Sequence, residues 1–119
     1  MQFDKFTLKA QEVIQRAQQL AERFSNQQIE PEHLIKAILD QPEGVIPPLL
    51  GKIGADQRQL SKSFETALDK LPKISGAGYG QAYLSPRSKA VLDKAFKEAE
   101  QFKDQFVSLE HILLAVTAE

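Results

Sequence analysis

Two Glu-His pairs, Glu32-His33 and Glu110-His111, are the residues whose types invite a chemical role, and they stand 78 positions apart. A histidine beside a carboxylate suits acid–base work or metal ligation. Zinc hydrolases place two histidines on one helical face, as in His-Glu-x-x-His, and that spacing is absent. Two distant histidines read instead as packed or hydrogen-bonded core residues. Glu32 and Glu110 each fall in the first turn of an expected helix, where the helix dipole favours a carboxylate by about 0.3–1 kcal/mol. The competing reading is that they flank a seam and attract cationic side chains of an extended substrate. Thr7 opens the first expected helix and reads as its N-cap, with a substrate contact possible on top of that role. Ser85, 78 positions later, supports the cap. The run Gly76-Ala77-Gly78-Tyr79-Gly80 superficially resembles a phosphate loop. It follows no strand, and no Gly-x-x-x-x-Gly-Lys-Ser/Thr occurs, so a linker is the better reading and no nucleotide site is expected. Nothing places a nucleophile beside a general base, so no catalysis is expected of this chain.

These residues repeat because the chain repeats. Residues 6–39 and 84–117 align without a gap at an offset of 78. Val13, Ala17, Ala21, Glu22, Phe24, Gln27, Glu32, His33 and Ala37 meet identical residues at Val91, Ala95, Ala99, Glu100, Phe102, Gln105, Glu110, His111 and Ala115. Two similar lobes with a seam are implied, and seams are frequent binding sites. In the first copy, Ala10, Val13, Ile14, Ala17, Ala21 and Phe24 fall three or four apart, the stripe of an amphipathic helix. Pro31 suits the first position of a second helix, with Leu34, Ile35, Ala37, Ile38 and Leu39 on its buried side. A short apolar helix is expected over Val45 to Lys52. Asp56 caps a fourth, with Leu60, Phe64, Ala67, Leu68 and Leu71 facing the core. Residues 72–83 form the inter-repeat linker. Ser85-Pro86 opens the next helix, and Ser108 caps the last. No segment shows a convincing strand pattern. The class is all-α, a single domain over 1–119: repeat one at about 6–71 and a partial repeat two at about 84–119.

The chain has 119 residues, 42% of them hydrophobic, and no cysteine, so disulfides and thiolate metal sites are excluded. Fifteen basic against sixteen acidic residues leave a formal charge of −1, which argues against nucleic acid as a partner. No apolar run approaches the ~18 residues of a membrane span, and no signal-peptide core is present at Met1. A cytoplasmic protein is expected.

The words Phe6-Thr7 with Lys9-Ala10-Gln11, Gln28-Ile29-Glu30-Pro31-Glu32-His33-Leu34 and Gln41-Pro42-Glu43-Gly44-Val45 add a further signal. So do Leu71-Pro72-Lys73-Ile74-Ser75-Gly76-Ala77-Gly78, Tyr83-Leu84-Ser85-Pro86-Arg87 and Glu110-His111. Over nearly its whole length the chain resembles the amino-terminal domain of Clp ATPases, with the linker favouring the ClpB disaggregase branch. The resemblance implies a bundle of two pseudo-twofold helical repeats, the second truncated here by about two helices. It implies a domain above a hexameric ATP-driven ring, capturing unfolded or aggregated polypeptide in stress. ATP and magnesium would belong to the ATPase modules, with no cofactor in this domain and a monomer expected for it alone. The family's polar contact residues match at Thr7, Asp104 and Glu110, and Glu32 joins them as a weaker candidate. Where such relatives carry leucine near the groove, this sequence has Lys94, Glu98 and His111. The alternative is a domain that docks adaptor proteins in a ClpC- or ClpA-type protease system.

Overall fold

The computed structural model describes residues 3–41, 48, 51–52, 54–73, 82–101 and 106–117. A single 3₁₀ turn, Phe3–Lys5, leads into α1, Leu8–Arg23. Thr7 is extended, and its hydroxyl accepts the Ala10 N–H at 3.1 Å. That satisfies one of the donors a helix start leaves open. Of the expected stripe, Ala10, Val13, Ile14, Ala17 and Ala21 are buried, while Phe24 stands at the C-cap and is partly exposed. At the far end Ser25 adopts a φ of 60°. Its N–H reaches the Glu22 carbonyl, and the Asn26 N–H reaches that of Ala21. This pair of bonds is a Schellman closure, made with serine at the position that usually holds glycine.

Helix α2, Pro31–Leu39, starts with proline in its first turn, where the missing N–H leaves nothing unpaired. Glu30 and His33 form a capping box, with histidine in the place of the usual Glu or Gln. Gly54, at a φ of 78°, turns the chain towards α3, Gln57–Asp69. Asp56 caps α3 by accepting the N–H groups of Arg58 and Gln59. Leu68 of α3 is buried, while Leu60 and Phe64 pack partly buried against the core. No pattern of residue types signals the tie between α2 and α3. Lys36 is buried, and its ammonium bonds Asp40 and donates to Ser61 Oγ at 2.7 Å, with Glu65 at 3.4 Å.

Helix α4, Pro86–Gln101, repeats α1. The Ser85 hydroxyl accepts the Ser88 N–H at 3.1 Å, and Ser88, Val91, Leu92, Ala95 and Ala99 are buried. Each stands 78 positions after a buried residue of α1. Helix α5, Leu109–Thr117, follows Ser108 and packs on α4. Helix α2 touches α1, α3, α4 and α5, so it forms the centre of the core.

The all-α class carries one addition. Strands β1, Gln28–Ile29, and β2, Tyr83–Leu84, pair in parallel with Gln28 opposite Tyr83 and Ile29 opposite Leu84. A second parallel bridge joins Phe6 to Val107. Two-residue strands cannot show the alternation by which strands are read from sequence. Shifting Phe6 and Val107 by 78 positions gives Leu84 and Ile29, so the two pairings are one motif made twice. In each, the residues leading into one repeat's first helix pair with the connection between the other repeat's helices. The Thr7 N–H donates to the Val107 carbonyl at 2.9 Å, and the Ser85 N–H to the Ile29 carbonyl at 3.1 Å. The repeats are therefore laced together at two seams. Of the helix expected over Val45 to Lys52, Pro48, Gly51 and Lys52 are helical, and the rest lies outside the described residues. The glycine run 76–80 also lies outside them.

Candidate functional site

The first seam is built by the Phe6–Val107 bridge, whose side chains are buried at 2% and 1% exposure. The bridge sets the start of α1 beside the start of α5. Thr7 is held by its backbone on Val107 and by its hydroxyl on α1. Glu110 is exposed in the first turn of α5. Asp104 lies outside the described residues. Two side chains that sequence reading passed over stand here. Leu8 is 77% exposed and Phe106 is 47% exposed, and they flank Thr7 and Val107 along the chain. Leu8 was legible as an apolar residue off the stripe of α1; Phe106 sits in a connection and carried no periodic signal.

The second seam, at Ile29–Leu84, brings the start of α2 beside the start of α4. Glu32 lies here and not at the first seam. Its Oε1 is 3.6 Å from an Arg87 nitrogen, which is also 3.9 Å from Glu30 Oε1. The pair is partly exposed, so it contributes ~1 kcal/mol or less. Ser88 donates its hydroxyl to the Ile29 carbonyl, a bond that Ala10 at the equivalent place cannot make.

His33 sits beneath the second seam, fully buried. Its Nδ1 accepts the Glu30 N–H at 2.8 Å, which places the ring proton on Nε2. Nε2 then donates to Asn26 Oδ1 at 3.0 Å, and Asn26 Nδ2 donates to the Pro72 carbonyl at 3.0 Å. One chain of bonds thus ties the end of α1, the start of α2 and the segment after α3. Burial pushes the His33 pKa down from its ordinary 6.5 to about 4, against the opposing charge of Glu32. His33 is a neutral structural residue, which agrees with the core reading. His111 makes the corresponding local bond, accepting the Ser108 N–H on Nδ1 at 2.9 Å.

Lys94 rims a shallow hollow with Arg87 over Ala90, Val91 and Ala115. Among the described residues no group of three or more His, Asp or Glu is placed to hold a metal. No described helix is long and apolar enough to cross a membrane.

The family model of the Clp repeat (R) N-terminal domain matches residues 5–119. The chaperone protein ClpB of Rhodopseudomonas palustris is 41% identical over the whole chain, which spans 14% of that protein's length. The Hsp104 N-terminal domain from Candida albicans has a similar structure, with a TM-score of 0.84 at 28% identity. The match covers 94% of this chain and 73% of that one. A ClpV N-domain solved in complex with a VipB peptide shares the fold, with a TM-score of 0.80 at 15% identity, over 98% of this chain and 70% of that one.

Proposed function

This chain belongs to the Clp repeat N-terminal domain family of ClpB-like chaperones, and on that premise we propose that it captures unfolded or aggregated polypeptide at its first seam. The observation that carries the reading is Leu8. A leucine 77% exposed beside a fixed, hydrogen-bonded seam offers apolar surface to any chain that exposes its own. Phe106, 47% exposed on the connection that bridges the start of α1, offers further apolar surface, and Glu110 stands exposed in the first turn of α5. Such a site binds broadly, because apolar contact is non-directional. Affinity on the order of 10–1,000 μM, roughly 4–7 kcal/mol, suits a site that must release what it holds. Thr7, Asp104 and Glu110 are the polar contacts of the proposal, with Glu32 a secondary one from the neighbouring seam. The domain catalyses nothing itself. Disaggregation, ATP with magnesium, and a hexameric ring belong to a full-length protein.

The alternative reading, docking of a single adaptor or partner protein, is favoured by the ClpV N-domain that holds one VipB peptide. Substitutions at Thr7 separate a contact from a cap. Thr7→Ser keeps both the fold and the binding of a fluorescent, permanently unfolded polypeptide. Thr7→Val keeps bulk, loses the cap and costs about 0.5–2 kcal/mol in urea. A Thr7→Val chain with full stability and unchanged binding would remove Thr7 from both roles. Tight binding of one folded partner with no binding of unfolded chains would favour the adaptor reading.

A further inference from the structure

The hollow between α4 and α5 offers about 290 Å³ and is lined by Arg87, Ala90, Val91, Lys94 and Ala115. Val91 and Ala115 are buried and make an apolar floor, with the exposed Ala90 at its rim. Arg87 stands about one helical turn before Ala90 and Val91, and Lys94 about one turn after them. Two cations therefore bracket a patch of apolar surface along one face of α4. Arg87 is half exposed and is shared with Glu32 and Glu30, at 3.6 and 3.9 Å. Lys94 is exposed and makes no ion pair among the described residues.

The repeat shows what shaped the hollow. At the same places in the first copy stand Lys9, Glu12, Val13, Arg16 and Ala37. The two cations, the valine and the alanine recur, and one position differs in kind. Glu12 sets a carboxylate between Lys9 and Arg16, four residues before the arginine, a spacing that stabilises a helix surface. Its counterpart is Ala90, which removes both the bulk and the charge. The second copy thus keeps the pair of cations and opens a space where the carboxylate would stand. We infer that this space docks an acidic segment of a partner protein, in which two carboxylates flank one aliphatic side chain. The aliphatic group covers Val91 and Ala115, and the carboxylates take the part that Glu12 plays in the first copy. Extended chain fits the spacing. Residues two apart point to one face, so Glu-x-Leu-x-Glu presents a leucine between carboxylates about 13 Å apart. Arg87 and Lys94 are about 10.5 Å apart along α4, and their long side chains span the difference. A nucleic acid matches the cations but leaves the apolar floor unused. Docking here stands independently of capture at the first seam.

The probe is a fluorescein-labelled peptide, Gly-Glu-Ala-Leu-Ala-Glu-Gly, titrated with the whole chain by anisotropy at low ionic strength. Saturable binding is expected, and added salt weakens it. Ala90→Glu, which restores the first-copy pattern, and Lys94→Glu each weaken it by about tenfold, because an attraction becomes a repulsion. Both positions are exposed and glutamate is a good helix former, so thermal unfolding of the two variants matches that of the parent. Serine in place of the peptide's leucine weakens binding by about three- to tenfold. Leu8→Ser leaves peptide binding unchanged. Unchanged affinity in both Ala90→Glu and Lys94→Glu overturns the docking site, and a loss confined to Leu8→Ser assigns the peptide to the first seam instead. Equal binding of the serine peptide, or of a single-stranded oligonucleotide, overturns the acidic-aliphatic partner in favour of a general anion patch. A parent chain that ignores the peptide at millimolar concentration overturns the inference and leaves capture of unfolded chains untouched.

Discussion

Helices α2 and α5 are both nine residues long and occupy equivalent places in the two repeats, yet eight residues of α2 are buried against three of α5. The sharpest contrast is one position. Lys36 is 3% exposed, while Leu114, its counterpart 78 residues on, is 49% exposed. The more apolar residue is the wetter one. Burial here is set by neighbours: α3 lies over α2 and supplies Ser61 and Glu65 to the lysine. Among the described elements, α5 makes its principal contacts with α4 and α2, and Leu114 stays half exposed. The helix pair is the repeated unit among the described elements.

The comparison can be broken hardest at Asn26. Asn26→Ala strands the buried His33 Nε2–H, at about 1–3 kcal/mol, and leaves the carbonyl of the exposed Pro72 to water. A loss of about 1–3 kcal/mol is expected in urea denaturation, and a loss below about 0.5 kcal/mol would show that the bond chain carries little. Acid attacks the same centre. Unfolded His33 takes a proton near pH 6.5, and folded His33 only near 4. Between those values the unfolded state binds more protons, so stability rises with pH. The contribution, about 3 kcal/mol from the size of the shift, is fully present above pH 6.5 and is lost as pH falls towards 4. Unfolding free energies at pH 7, 6, 5 and 4 test this, and His33→Gln flattens the profile.

A smaller contrast separates α2 from α5. Lys36→Ala costs about 2 kcal/mol by removing a packed stem and its bonded ammonium. Leu114→Ala changes stability by about 0.5 kcal/mol or less, as exposed positions do. Equal losses would mean that α5 has cover in solution. The smallest effect is a gain. Ser25→Gly relieves a left-handed residue and stabilises the chain by about 0.5–1 kcal/mol, net of the entropy glycine adds to the unfolded state.

Much of this was legible in the sequence. The apolar stripes of α1 and α4, the caps at Thr7, Asp56 and Ser85, and the proline start of α2 all follow from spacing and residue type. Helix-to-helix lacing was not legible, because Gln28–Ile29 and Tyr83–Leu84 are too short to alternate. Nor was the burial of Lys36, since a lysine hides only when a distant helix brings partners. The site was half legible. Thr7 and Glu110 came from family likeness, and the structure adds Leu8, which falls off the stripe of α1, and Phe106, whose exposure no periodicity reveals. Glu32 was expected at the same seam and stands at the other one, engaged with Arg87.

The central claim is capture at the first seam, and an NMR titration of the isotopically labelled chain with a permanently unfolded polypeptide tests it most directly. Saturable shifts are expected at Leu8, Phe106, Thr7 and Glu110, absent when the same polypeptide is folded. Silence at those residues with millimolar unfolded chain would contradict it.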